Sequence, residues 1–100
     1  MTLPGSVGPD QAVVRDLEIV NQRGLHARAS AKFVSLVSGF DAQVSVVKDG
    51  VTVGGTSIMG LMMLAASPGY SIRVTASGAE AVAVMDALEQ LVASRFGEEC

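Results

Sequence analysis

The residues best suited to chemistry are few. His26 is the sole histidine of the chain, and it stands in the run Gly24-Leu25-His26-Ala27-Arg28. Asn21 to Gly24, just before it, have the composition of a tight turn. Ala27 to Ser38, just after it, place apolar residues at helical spacing. The pattern puts an imidazole at a helix N-terminus with a guanidinium two residues on. First-turn N–H groups and the helix dipole favour an anion at such a place. Arg28 would add planar, permanently charged donors. Imidazole has a bare ring nitrogen near neutral pH and is a nucleophile, so His26 could carry the anion covalently. Each residue also has a plainer role. His26 would then be an ordinary surface histidine, Arg28 a solvated helix charge and Arg23 a solvated loop charge. A second candidate is Ser57, which with Thr56 precedes a short apolar run from Ile58 to Leu64 and can cap it. Phosphate on Ser57 would add about −1.5 to −2 charges at a helix start, where the dipole tolerates them.

These residues belong to a chain of 100 amino acids, the size of one domain. Residues 1–11, with Pro4, Gly5, Gly8 and Pro9, read as a flexible tail. Residues 12–96 hold the domain. Residues 97–100 read as a frayed end whose Glu98 and Glu99 are solvated. The formal net charge is −3, which excludes the basic surface that nucleic-acid binding needs. No apolar stretch approaches the roughly 20 residues that span a bilayer. The first residues lack the basic start and apolar core of a secretory signal. A single cysteine, Cys100, cannot staple the fold, and a reducing cytoplasm suits it.

The periodicity alternates between two and 3.6. Val13 to Val20 reads as a strand with Leu17 and Ile19 on one face and Asp16 and Glu18 on the other. Ala29, Phe33, Leu36 and Val37 form a helical stripe that ends at Gly39. Ala42 to Val47 and Val51 to Val53 flank Asp49-Gly50, a strong hairpin signal. Ile58 to Leu64 is a short helix. Ser67-Pro68-Gly69 turns the chain into a strand from Tyr70 to Thr75. Ala79 to about Arg95 carries the clearest apolar stripe, through Ala81, Val84, Met85, Leu88, Leu91 and Val92. The order is β-α-β-β-α-β-α. Strands buried on one face suit an antiparallel or mixed sheet covered by helices on one side, an α+β two-layer sandwich. The pattern alone does not separate this from other split β-α-β arrangements.

The Gly24-Leu25-His26-Ala27-Arg28 run, the Asp49-Gly50 hairpin and Thr56-Ser57-Ile58-Met59-Gly60 opening a short helix together resemble HPr. HPr is the histidine-containing phosphocarrier of the bacterial phosphoenolpyruvate-dependent phosphotransferase system. The resemblance runs from residue 13 to about 96. It implies an open-faced sandwich with a four-stranded antiparallel sheet and three helices on one face. It implies that His26 is phosphorylated on Nδ1, that Arg28 stabilises the phosphoryl group, and that Ser57 is a regulatory phosphorylation site. It also implies a cytoplasmic monomer that takes phosphate from an Enzyme I-type protein and passes it to an Enzyme IIA-type protein. An HPr kinase/phosphorylase would act on Ser57. No cofactor, metal, nucleic acid or membrane enters this scheme. Leu25, Phe33, Ile58, Met59, Met62 and Met63 are the docking candidates, with about half of the short helix's methionines expected in the core. One departure stands out: the family motif continues with Pro then Ala, whereas here Ala29 and Ser30 follow. That pair resembles the nitrogen-related, regulatory branch, which is the preferred variant of the carrier reading. Two other readings are an HPr-like regulator modified only on Ser57, and an ACT- or ferredoxin-like domain that binds a small ligand and gives His26 no role.

Overall fold

The computed structural model describes residues 12–98, so the N-terminal tail through residue 11, Glu99 and Cys100 lie outside the described residues. The elements are β1 (Val13–Glu18), α1 (Ala27–Ser38), β2 (Gln43–Lys48), β3 (Val51–Gly54), α2 (Ile58–Met63), β4 (Ser71–Ser77) and α3 (Ala81–Ala93), followed by a single turn at Arg95–Gly97. The strands form one antiparallel sheet in the order β1-β4-β2-β3. Asp49 and Gly50 both take positive φ, 52° and 79°, and close the β2–β3 hairpin as its sequence predicts.

Register puts like with like on each face. Leu17 pairs with Ile72, and Val46 with Val74, all on the buried side. Asp16 pairs with Arg73 on the outer face, where their side chains form an ion pair at 2.9 Å. Both groups are exposed, so solvent screens the pair and its contribution is small. The inner face meets Ala29, Phe33 and Val37 of α1 and Ala81, Val84, Met85, Leu88 and Val92 of α3. Phe33 is fully buried at the centre. Burial of a side chain of that size contributes about 1.5–3 kcal/mol, so such residues fix where α1 sits on the sheet.

The expected element order holds, and the largest differences lie at the chain's C-terminal end. α3 stops at Ala93 rather than Arg95 because Arg95, Phe96 and Gly97 all take left-handed φ of 60°, 54° and 75°. Phe96 is nonetheless buried, and the Lys32 ammonium donates to its carbonyl at 2.6 Å. The segment expected to fray therefore folds back on α1 as far as Glu98. Among the described residues, no helix is long and apolar enough to cross a membrane.

Candidate functional site

The loop between β1 and α1 is built around Gly24. Its φ is +63°, a conformation that disfavours any residue with a Cβ. A Cβ there would also lie 2.3 Å from the carbonyl oxygen of Ala66. That carbonyl accepts the Leu25 N–H at 3.0 Å, tying the loop to the segment after α2. Leu25 is buried, so the chain must turn outward at the next residue.

His26 is the N-cap of α1, with extended backbone at φ −76° and ψ −178°. Its Nδ1 accepts the Arg28 N–H at 3.2 Å. The hydrogen-bond geometry assigns the tautomer with Nδ1 bare and the hydrogen on Nε2. The Nε2–H donates to Oε2 of Glu98 across 2.5 Å. Asn21, fully buried in the loop between β1 and α1, donates from Nδ2 to the same oxygen at 3.0 Å and to the Gly24 carbonyl at 2.9 Å. The hydrogen bond from His26, the largest influence, and a second from Asn21 hold the Glu98 carboxyl below its usual range against the opposing effect of burial. Asn21 Oδ1 and Glu98 Oε1 are buried with no partner among the described residues.

The imidazole is thus partly screened: its side chain is 19% exposed and that of Glu98 12%. Arg28 is exposed, and its guanidinium makes no hydrogen bond or ion pair among the described residues. Ala29 and Ser30, the two residues that depart from the family motif, are both buried. The Ser30 hydroxyl donates to the Leu25 carbonyl at 3.3 Å, which braces the loop from inside the helix. Ala29, unlike proline, also keeps a backbone N–H in the first turn.

Ser57 caps α2, its hydroxyl accepting the Gly60 N–H at 3.0 Å while the residue stays exposed. Ile58, Met59, Met62 and Met63 are all exposed, Met59 and Met63 by nearly three-quarters. The expected split of the methionines between core and surface does not occur, because Leu61 and Leu64 supply the inward face of this helix. Leu25 and Phe33 are buried and so are core residues rather than docking residues. α2 packs against α1, which places its exposed apolar face beside the helix that His26 caps.

Two residues of the site, Asn21 and Glu98, are missed by reasoning from sequence. Asn21 reads as turn punctuation and Glu98 as a solvated acid. Phe96 was the available signal: a large apolar residue past the end of a helical stripe needs a place to be buried.

The sequence matches the family described as "PTS HPr component phosphorylation site" over residues 13–94. This chain belongs to the HPr family. It is 48% identical over 84 residues to phosphocarrier protein HPr of Cupriavidus necator, covering 84% of this chain and 94% of that one. It is 38% identical to phosphocarrier protein NPr of Shewanella violacea, covering 84% and 92% of the two chains. HPr-C-His from Thermoanaerobacter tengcongensis has a similar structure, with a TM-score of 0.83 at 41% identity over 88% of this chain and 99% of that one. The family gives the chain a phosphocarrier role in the phosphotransferase system, and it leaves the ACT-like ligand-binding reading without support.

Proposed function

We propose that His26 is the residue that carries the phosphoryl group, bonded through Nδ1, between an Enzyme I-type donor and an Enzyme IIA-type acceptor. The observation that carries this reading is the bare Nδ1 beside the Arg28 N–H at the start of α1. The Nδ1 lone pair attacks phosphorus, an N–P bond forms, and the donor's own bond to phosphorus breaks. The first-turn amides then face the phosphoryl oxygens, and the helix dipole adds to their attraction. Transfer passes through a loose transition state with charge on the equatorial oxygens, so positioning and positive charge supply most of the catalysis. The test is incubation with phosphoenolpyruvate and Enzyme I. An acid-labile, base-stable phosphate is the expected product, and a base-labile or absent one would count against the proposal.

Arg28 is exposed and otherwise uncommitted, which suits a residue whose partner arrives with the phosphate. Arg28→Ala should lower the transfer rate by roughly 10- to 100-fold, as the loss of a charge-assisted contact in the transition state does. Its melting temperature should stay near the original value. An unchanged rate would remove Arg28 from the mechanism.

The exposed face of Ile58, Met59, Met62 and Met63 supports docking of both partners on one adaptable apolar surface beside the site. Regulation at Ser57 fits the same surface. A phosphate there places negative charge within the docking face, and the exposed hydroxyl is accessible to a kinase. Labelling by ATP and an HPr kinase should vanish in Ser57→Ala, and labelling that persists would exclude Ser57.

On pathway, the Ala29-Ser30 pair has a structural account of its own, since both side chains pack inside and Ser30 braces the loop. Relatives named HPr match at 37% to 48% identity and one named NPr at 38%, which supports a phosphocarrier of either branch.

A further inference from the structure

We propose that Glu98 is a positioning residue of the phosphoryl site, holding the proton on His26 Nε2 so that Nδ1 stays bare for attack. It deepens the reading of His26 as phosphoryl acceptor and rests on it. The sequence of events balances without any proton leaving the ring. Nδ1 gains the phosphoryl group, and the ring becomes positively charged while Nε2–H remains bonded to the Glu98 carboxylate. In the onward step the acceptor attacks phosphorus, the N–P bond breaks, and its electron pair returns to Nδ1. The carboxylate is the counter-charge that keeps the ring protonated on Nε2, and a protonated ring is the better leaving group.

Three observations support the assignment. First, the segment that delivers Glu98 is built at a cost. Arg95 and Phe96 are non-glycine residues in left-handed backbone, and such strain persists only where surrounding structure imposes it. Phe96 in the core and Lys32 on its carbonyl impose it here. Second, burial of Phe96 and the Lys32 bond to its carbonyl already anchor the segment, while the Glu98 side chain lies 12% exposed against the imidazole. Third, Asn21 donates to the same Oε2 as His26 and also to Gly24, so the carboxylate is fixed to the loop that presents the imidazole.

The test uses the full chain, Glu98→Ala and Glu98→Gln. Nitrogen NMR of labelled imidazole reports which ring nitrogen carries the proton. The wild type should show the hydrogen on Nε2 alone, and Glu98→Ala should show both tautomers. Glu98→Gln should retain the wild-type tautomer, because its amide oxygen still accepts from Nε2–H. Phosphoryl transfer should fall on the order of tenfold in Glu98→Ala. In Glu98→Gln, which lacks the counter-charge, hydrolysis of the phosphorylated chain at neutral pH should slow by roughly threefold or more. A role limited to anchoring the chain end would lower the melting temperature and leave the tautomer and the hydrolysis rate alone. Wild-type values for both in the two variants, with His26 still phosphorylated, would overturn the assignment of Glu98 alone. A wild-type chain that takes no phosphate on His26 would overturn the carrier reading, and this proposal with it.

Discussion

His26→Ala is expected to take up no phosphate from phosphoenolpyruvate and Enzyme I, a loss of at least roughly a thousandfold in labelling rate. The chain has a single histidine, so no second imidazole can substitute. The Ser57 hydroxyl is exposed but lies at the start of a different helix. The fold should survive the change. His26 caps α1, and loss of a cap costs about 0.5–2 kcal/mol. The core of Phe33, Ile72, Val74 and Leu88 is untouched. The variant should therefore show the circular dichroism of the parent with a modestly lower melting temperature. Acid-labile phosphate in a folded His26→Ala would refute the role given to this residue.

Gly24→Val should be the most damaging single change in the loop. The substituted residue must keep a φ near +63°, which a β-branched side chain resists, and its Cβ must displace the Ala66 carbonyl from 2.3 Å. Backbone strain and overpacking together cost about 2–4 kcal/mol. For a domain of this size that lowers the melting temperature by roughly 10 °C or more. The effect should reach function as well. The Leu25 N–H bond to Ala66 sets where the chain turns outward, so losing it moves the imidazole away from the first-turn amides and from Glu98. Calorimetry and the labelling assay are expected to report the two losses together. A variant with wild-type stability would show that the loop is not held by this close approach.

The parts of this molecule legible in its sequence are those governed by local chemistry. The period-2 runs around Leu17, Val46 and Ile72 became strands, and the 3.6-period runs around Phe33 and Val84 became helices. Asp49-Gly50 made its turn. The helix start at His26 followed from the change of period after Gly24. The parts that were not legible depend on residues far apart in sequence. Glu98 lies 72 residues from His26, and only the left-handed turn at Arg95–Gly97 brings them together. Its polar character alone pointed to solvent. Leu25 and Phe33 looked available for docking because they neighbour His26 in the motif, yet the loop turns the first inward and the helical period turns the second. The methionines of α2 erred the other way. Leu61 and Leu64 suffice to cover the core beneath a helix of six residues, which leaves Met59, Met62 and Met63 at the surface.

The central claim is about one atom. The chain, labelled with nitrogen-15 in its imidazole and phosphorylated by phosphoenolpyruvate and Enzyme I, can be studied by phosphorus–nitrogen correlation NMR. Phosphorus coupled to Nδ1 of His26, with the hydrogen retained on Nε2, is the result expected from the bare Nδ1 beside the Arg28 N–H. Phosphorus coupled to Nε2, or found on Ser57 with the imidazole unmodified, would contradict it.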